Sequence, residues 1–498
     1  MKRLETDMPA SALWQHLDDA RAEFNETIVG RVIIIYGLFL LVGGILMSSP
    51  ADWLPGLRNI VLSSSLLLTD YMELASPGVA FINAGIMTLF YFLLIKLSRA
   101  HLSGGTFAAV FMLSGFALFG KNLFNGLPLS IGVFLYCKYS KTKFQDCALL
   151  ALFATCLGPL VSSVAFHFGL PILQGVLYAW LLGILCGFLL PPVCNRFSQF
   201  HQGYSLYNMG FSAGILSMVV VGILSYRGHG FEHVTIIFSG ADNILIVWMA
   251  SLLALLFFAG AAAAYRGRKF ERESGPNGEP VSGLKDELKV GSDNQQTKSD
   301  MDDKFLKLKR VNLKYYFAKY GQLIRKSGRA PDDFVDQFGI GLSLINMSLT
   351  GVVGLLYALV LSDGLNGPIM GAILCMVGFA AFGKHILNTP PIMIGVLLVN
   401  IIFGGAKIGS TGFIVAALLG TTLAPIAGRF GVVPGIFAGM AHMTIVSTVG
   451  SLHAGTNLYN NGFAGGFVAI LFVPILEFFE QEEVLPRQLV RRLIKRKE

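Results

Sequence analysis

The sequence predicts an all-α polytopic membrane protein with about 14 spans, arranged as two inverted six-span repeats plus two extra helices, with discontinuous helices. The chain of 498 residues is 54% hydrophobic and only 14% charged, whereas ordinary soluble domains are roughly 25% charged. Apolar runs of about 20 residues, long enough to cross a bilayer, recur along most of its length. A third observation, a stretch of sequence that occurs twice, predicts the duplication.

The repeated stretch lies at residues 115–133 and 378–396 and matches at 11 of 19 positions without a gap. Two unrelated apolar segments of this length would agree at about two positions. Three matched pairs are unusual inside an apolar run: Lys121 with Lys384, Asn125 with Asn388, and Pro128 with Pro391. A plain membrane anchor needs none of these residues, so the two copies have kept something specific.

The duplication extends on both sides of this stretch. Asn83 aligns with Asn346 at the same offset. Later in each half the pattern HxGxxLYNxGFxxG occurs, at residues 201–214 and 453–466. This late motif aligns Tyr207 and Asn208 with Tyr459 and Asn460.

Taken in order, the apolar runs predict spans near residues 32–47, 77–98, 103–120, 123–138, 147–166, 171–191, 205–225, 243–265, 340–362, 367–383, 386–403, 409–427, 433–450 and 457–479. Amphipathic helices are expected at about 10–24 and 304–326. The second of these either lies on the cytoplasmic headgroups or binds a partner. Whether residues 51–76 enter the membrane stays open.

These elements divide the chain into seven segments. They are a cytoplasmic N-terminal segment (1–30), a first span with a connecting stretch (31–76), membrane repeat 1 (77–226), an extra span (227–265), a cytoplasmic linker (266–333), the inverted membrane repeat 2 (334–480) and a basic cytoplasmic tail (481–498).

The distribution of Lys and Arg predicts that the two repeats are inverted. The linker and the tail are strongly basic, so both are expected in the cytoplasm, as is the N-terminus. Six spans then carry repeat 2 from the inside back to the inside, whereas the span at 243–265 makes repeat 1 begin and end outside. This scheme places Lys121 near the outer face and Lys384 near the inner face. Inverted repeats are typical of transporters and channels.

The repeated stretch also predicts a broken helix in each half. The segment Pro128–Tyr139 has 12 residues, fewer than the roughly 17 needed to cross. We therefore expect irregular backbone around Asn125, followed by a half-helix that begins at Pro128 or Pro391. Such a start exposes unpaired N–H groups and the positive end of the helix dipole. The alternative is a tight helical hairpin whose lysine extends to the headgroups.

The late motif is expected to form the opposite wall of a pathway. Asn208 and Asn460 each begin a span with glycines four residues apart, which allow close approach of another helix. Tyr207 and Tyr459 have an alternative role as interfacial aromatic residues. Asn83 and Asn346 either line a pore or bond helices together. The predicted pathway residues are Lys121, Asn125, Pro128, Tyr207, Asn208, Lys384, Asn388, Pro391, Tyr459 and Asn460, together with Asn83 and Asn346.

Several kinds of chemistry lack candidate residues. No span centre carries an Asp or Glu in both repeats, so a carboxylate proton relay is not expected. The motifs GxxxxGK[ST], HExxH and GxSxG are missing, and the six cysteines show no CxxC spacing. The basic residues flank membrane segments, which indicates lipid rather than nucleic acid as their partner. We expect no catalytic residue, no cofactor and no metal.

The sequence therefore favours a membrane transporter or channel for a small polar solute, neutral or anionic. Its expected partners are the lipid bilayer and that solute, and self-association is left open. The main alternative is a membrane sensor or scaffold that acts through its cytoplasmic linker and tail. An integral-membrane enzyme ranks third.

Two motifs in each half, FGKxxxNxxPxxIGV and HxGxxLYNxGFxxG, resemble a family of two-copy bacterial membrane proteins known only as a domain of unknown function. The resemblance covers nearly the whole chain and implies a multi-pass protein of the bacterial inner membrane. A weaker likeness is to urea transporters, which also have two inverted halves with an asparagine–proline motif. Here Asn125 and Pro128 are separated by two residues, whereas urea transporters have the pair adjacent. That likeness implies urea as one hypothesis for the solute.

Overall fold

A computed structural model describes residues 10–231, 235–240, 242–273 and 313–494. Within these ranges the chain is built from helices and contains no β-strand. The predicted all-α polytopic fold class is therefore confirmed. Most of the predicted linker, residues 274–312, lies outside the described ranges.

The first half of the chain contains α1 (Ala10–Leu46), α2 (Pro50–Leu62), α3 (Tyr71–Leu74), α4 (Pro77–Ser98), α5 (Gly104–Phe116), α6 (Leu123–Ser140), α7 (Ala148–Ala154), α8 (Gly158–Phe166), α9 (Ile172–Ser198), α10 (Asn208–Tyr226) and α11 (Asp242–Glu273). The second half contains α12 (Leu313–Leu323), α13 (Phe334–Phe338), α14 (Ile340–Leu361), α15 (Gly367–Phe379), α16 (Pro390–Phe403), α17 (Thr411–Gly420), α18 (Ala424–Phe430), α19 (Val432–Val449) and α20 (Asn460–Ile494).

Each predicted span coincides with one helix or with two helices joined by a 3₁₀ turn. Ten described segments are long and apolar enough to cross a membrane. Two of them are interrupted, because 3₁₀ turns at Thr155–Leu157 and Thr421–Leu423 separate α7 from α8 and α17 from α18. The apolar helices α5, α15 and α16 are shorter. The chain is thus a multi-pass membrane protein with discontinuous helices, and the number of complete crossings stays a prediction.

Two predicted helix starts differ from the structure. The amphipathic helix expected at 10–24 is not separate, since α1 continues without a break from Ala10 to Leu46. The half-helix expected at Pro128 begins earlier, at Leu123, because Asn122 and Asn125 form a reciprocal capping box there. In the second half α16 begins at Pro390, next to the predicted Pro391.

The two helices that the sequence left outside the repeats occupy equivalent positions. Gly44 of α1 lies against the backbone of Gly78 and Ile82 in α4. Gly260 of α11 lies in the same way against Gly341 and Ile345 in α14, the residues that align with Gly78 and Ile82. These close glycine contacts bring each pair of backbones together. Each half therefore consists of one leading helix followed by the repeat.

The core of the molecule is the contact between α5 and α15, which are equivalent helices of the two halves. Nearly every residue of both helices is buried. A Cβ atom on Gly115, near the end of α5, would lie 2.5 Å from the carbonyl oxygen of Gly371, near the start of α15. At the other end, Gly378 faces the carbonyl oxygen of Phe107. Because the end of each helix meets the beginning of the other, α5 and α15 run antiparallel.

Candidate functional site

Buried asparagines hold the break between α5 and α6. The amide nitrogen Nδ2 of Asn83 donates to the carbonyl oxygens of Ala117 (2.7 Å) and Lys121 (2.8 Å). Asn125 Nδ2 donates to the carbonyl oxygen of Gly120 at 3.0 Å. These bonds satisfy carbonyl groups that the end of a helix leaves unpaired.

The same network recurs in the second half. Asn346 Nδ2 donates to the carbonyl oxygens of Ala380 (2.7 Å) and Lys384 (2.8 Å), and Asn388 Nδ2 donates to that of Gly383 (2.9 Å). The four amides are therefore directed at the backbone of the break. Their observed contacts fix the shape of the turn that carries each lysine.

Lys121 and Lys384 are both fully buried, with 0% of each side chain exposed. The sequence placed these lysines near opposite faces, with a hairpin reaching the headgroups as the alternative. Neither side chain reaches the surface of the described protein, so a headgroup contact does not occur. Lysine is rarely buried completely unless its ammonium group has partners.

Each buried lysine bonds to a tyrosine of the other half. Lys121 Nζ donates to the hydroxyl of Tyr459 at 2.6 Å, and Lys384 Nζ donates to the hydroxyl of Tyr207 at 2.6 Å. Each ammonium group also lies 4.5 Å from the centre of its tyrosine ring, a cation–π distance. We call these the two Lys–Tyr pairs. They join the early motif of each half to the late motif of the other.

The described residues around the two ammonium groups supply hydroxyls and aromatic rings rather than carboxylates. Among the residues that the structure describes, no ion pair involves Lys121 or Lys384. Their further neighbours are uncharged: Lys384 Nζ donates to Thr421 Oγ1 at 2.8 Å, and the thiol of Cys375 lies within electrostatic range of both lysines. A buried ammonium group without a counterion is costly.

Histidines orient the asparagines of the late motif. His201 Nε2 lies 2.8 Å from Asn208 Oδ1, and His453 Nε2 lies 2.9 Å from Asn460 Oδ1. Asn208 Nδ2 donates in turn to the carbonyl oxygen of Cys194 at 3.1 Å. Both polar ends of the Asn208 amide are therefore occupied within the protein.

The two motif prolines pack against glycines of neighbouring helices. A Cβ atom on Gly183 of α9 would lie 3.0 Å from Pro128, and one on Gly435 of α19 would lie 2.9 Å from Pro391. Both contacts are tight, so the flat proline ring fits where the neighbouring helix has no side chain. The contacts of these prolines in the structure are packing contacts.

Two cavities lie at equivalent positions in the two halves. The first, of about 270 Å³, is bounded by Asn208 and Phe379, and the second, of about 500 Å³, by the equivalent Asn460 and Phe116. Tyr207 and Tyr459 both line the first cavity. The second cavity contacts neither tyrosine and is bounded by Phe116 and Phe119 on that side. The two halves therefore have equivalent cavities that differ in volume and in whether the tyrosines line them.

Two aspartates that sequence reasoning missed also link the halves. The carboxylate of Asp70 accepts from the backbone N–H of Gly367 at 3.0 Å, and that of Asp333 accepts from the N–H of Gly104 at 3.0 Å. Gly104 and Gly367 are the first residues of α5 and α15, so each half caps the central helix of the other. Asp70 and Asp333 align at the same offset as Asn83 and Asn346, a signal present in the sequence.

The chain matches a family model in two stretches, residues 49–226 and 312–478, and the family is described as a protein of unknown function (DUF1576). The matches begin at α2 and at α12, the equivalent helices of the two halves. No curated protein and no solved structure matches the chain, so the likeness to urea transporters gains no support. The predicted resemblance to a two-copy family is confirmed, and the protein belongs to the DUF1576 family.

Proposed function

We propose that the protein moves a small polar solute, neutral or anionic, across the membrane along a pathway between its two halves. The observation that carries the proposal is the pair of buried lysines, each bonded to a tyrosine of the other half beside a cavity. Ionisable residues inside the membrane are costly and typically mark solute or ion pathways. A bundle with a purely structural role would be more stable with apolar residues at these positions.

The antiparallel packing of α5 and α15 supports an inverted arrangement of the two halves. Equivalent membrane helices that run in opposite directions are related by an axis in the plane of the membrane. Many secondary transporters have this symmetry, and their solutes bind where the two repeats meet. The Lys–Tyr pairs join the two repeats of this chain in such a position.

The loop charges orient the two cavities. Asp146 lines the first cavity and follows Lys141 and Lys143, in a loop that the positive-inside rule places in the cytoplasm. Lys407 lines the second cavity, which then faces the outside, and both chain termini are cytoplasmic. Because only the first cavity reaches the tyrosines, this conformation is open to the cytoplasm. Exchange of the two cavity shapes between the halves would open the other side.

Solute uptake into proteoliposomes tests the proposal. The panel contains amides, organic acids and inorganic anions, and protein-free liposomes give the background. Replacing both tyrosines, Tyr207→Phe with Tyr459→Phe, removes the hydroxyls that hold the lysines and should lower uptake by about tenfold or more. Tyr91→Phe is the matched control, since Tyr91 is a buried tyrosine that bonds to Ser130 at 3.2 Å.

Two results would contradict the proposal. One is a folded protein that moves no member of the panel, and the other is a tyrosine double variant with unchanged uptake. The sensor or scaffold alternative makes the opposite prediction: deletion of residues 274–300 would abolish the cellular function while no solute moves. That segment follows α11, so the deletion leaves the described helices in place.

A further inference from the structure

We infer that the solute is an anion that binds in the first cavity and is attracted by the positive charges of Lys121 and Lys384, which bond to the two tyrosines in its wall. This inference rests on the proposed function and adds the chemical class of the solute. It depends on three observations: the charge of the site, the direction of its hydrogen bonds and the cavity beside it.

The first observation is the charge. The groups within hydrogen-bond or cation–π distance of the two ammonium groups are hydroxyls and aromatic rings, which are all neutral. A hydroxyl dipole offsets only part of the cost of moving a charge out of water. No described carboxylate forms an ion pair with either lysine. A bound anion supplies the missing charge, whereas a cation would be repelled.

The second observation is the direction of the hydrogen bonds. An ammonium group has three N–H donors, and the described contacts use one donor of Lys121 and two of Lys384. Tyr207 and Tyr459 accept from the lysines, so their own O–H groups are left to donate. Both tyrosines line the first cavity. The site therefore offers donors, which match the acceptor oxygens of an anion.

A neutral amide would need acceptors as well as donors, and the first cavity offers few. Asn208 lines it, but the oxygen of that amide is bonded to His201 and its nitrogen to Cys194. Asp146 is the carboxylate that lines this cavity, and it is exposed to solvent, where salt screens its charge. The other residues with polar side-chain groups other than a thiol in its wall are Tyr207 and Tyr459.

The third observation is room. The first cavity measures about 270 Å³, whereas one water molecule occupies roughly 30 Å³ in the liquid. A small inorganic anion or an organic acid of a few carbon atoms fits this space. We therefore choose sulfate, phosphate, acetate and succinate as anionic probes, with acetamide and urea as neutral ones.

The sharpest variant supplies a counterion within the protein. The thiol of Cys375, at the contact between α5 and α15, is within electrostatic range of both lysines, so Cys375→Asp adds one negative charge that offsets part of their positive charge. We expect this variant to take up anions at least about tenfold more slowly, because the solute must compete with a fixed charge. The matched control is Cys375→Ser, which changes the same atom without adding charge and should keep most of the uptake.

A second variant tests the inference independently, in case the Cys375→Asp protein does not fold. Lys121→Met with Lys384→Met removes both charges and keeps the length and shape of the side chains. It should fold, as judged by gel filtration, and lose anion uptake by about tenfold or more. Anion binding is read separately as a rise in the melting temperature of the detergent-solubilised protein, which this variant should lack.

The outcomes separate the two proposals. If the protein takes up acetamide or urea and both charge variants leave this uptake unchanged, the solute is not an anion. The proposal of transport would then stand, and the inference of an anionic solute would be overturned. If anions bind only when the lysines are present, but no probe is taken up, the proposed transport function is overturned and the anion-binding site stands. If the folded wild type neither binds nor takes up any of the anions, this inference is overturned. Anion uptake that is lost in the lysine variant supports both.

Discussion

At the scale of single residues, the asparagines show how the protein shapes the turn that carries each lysine. Asn83 and Asn346 each bond to one carbonyl group at the end of a central helix, that of Ala117 or Ala380, and to the carbonyl group of the lysine itself. The lysine side chain can then extend across the interface to its tyrosine, because its backbone is fixed from the other side. Removal of either asparagine should therefore destabilise the fold.

We predict that Asn83→Ala and Asn346→Ala lower the thermal stability by similar amounts. Each variant leaves two buried carbonyl groups unpaired, at a cost of about 1–3 kcal/mol for each group. The unfolding temperature of the purified protein in detergent measures the effect. Asn59→Ala is the control, since Asn59 is exposed and its bond to the carbonyl of Leu74 is 3.4 Å long. Equal melting temperatures for the Asn83 and Asn59 variants would contradict the prediction.

The residues of the two motifs could be identified from the sequence, but their partners could not. Comparison of the halves singled out Lys121 and Tyr459 separately, because each recurs at an equivalent position. Their bond joins residues 338 positions apart and depends on how the halves dock. The complete burial of both lysines could not be predicted either, since loop charges indicate the side of the membrane and carry no information on burial.

At the scale of helices, the close approach of α5 and α15 depends on glycine. Gly115 faces the backbone of Gly371, and a side chain at either position would push the two helices apart. The Lys–Tyr pairs lie directly after these helices, so a small shift in the helix packing changes the distance between lysine and tyrosine. The helix interface thus controls the geometry of the site.

We predict that Gly115→Ala destabilises the protein by about 1–3 kcal/mol, because the added methyl group meets a carbonyl oxygen that cannot move aside. The matched control is Gly105→Ala on the same helix, where the nearest atom to an added Cβ is 3.4 Å away, at the end of a leucine side chain. Thermal unfolding of both variants in detergent makes the comparison. A Gly105 variant as unstable as the Gly115 variant would refute the argument from close packing.

The cap on α15 should make stability depend on pH. Burial raises the pKa of Asp70 from 3.8 to about 6, although the N–H groups of Met72, Phe238 and Gly367 oppose the shift. Between about pH 4 and pH 6 the unfolded chain has lost this proton while the folded protein keeps it. Stability therefore falls as the pH rises through this range, by up to about 3 kcal/mol.

We predict that Asp70→Asn removes this part of the pH dependence, because asparagine does not titrate. The melting temperature of the wild type minus that of the variant should fall as the pH rises from 4 to 7, because only the wild type loses stability when the Asp70 carboxyl ionises. Other carboxyl groups titrate equally in both proteins and cancel in the difference. A difference that is constant across the range would show that the pKa of Asp70 is not raised.

Helix positions were predictable where the apolar pattern is long, and less so where side chains decide the boundary. The sequence predicts that α6 starts at Pro128, whereas the helix starts at Leu123. The capping box between Asn122 and Asn125 outweighs the preference of proline for the first turn. The sequence did not predict that α1 and α11 are equivalent. Their equivalence rests on one glycine in each helix, Gly44 and Gly260, and on the helices that these glycines contact in the folded protein.

At the scale of the whole molecule, two halves of one chain use the same contacts twice to build an interface with two different cavities. The Lys–Tyr pairs, the aspartate caps and the glycine contacts all recur, yet the cavities differ in volume and in whether the tyrosines line them. If the halves exchanged these shapes, the cavity that reaches the tyrosines would open on the other side of the membrane. Transport by alternating access needs such a pair of states.

The inverted orientation can be tested at one equivalent pair of positions. Asp146 lines the first cavity and Gly412 the second, and each lies nine residues before the 3₁₀ turn of its half, at Thr155 or Thr421. We predict that cysteines at these positions react from opposite sides of the membrane. Both sites suit substitution, because Asp146 is exposed and nothing lies within 4 Å of a Cβ atom on Gly412. A Cys147→Ser background removes the partly exposed native thiol next to Asp146.

In intact cells a membrane-impermeant thiol reagent should label Gly412→Cys, which faces the outside in this orientation. Asp146→Cys should react only after the membrane is opened, since the loop with Lys141 and Lys143 is placed in the cytoplasm. The Cys147→Ser protein without a new cysteine gives the background labelling. Because the two positions are equivalent within the repeats, labelling of both from one side would mean that the halves are parallel, and the pathway between inverted repeats would have to be abandoned.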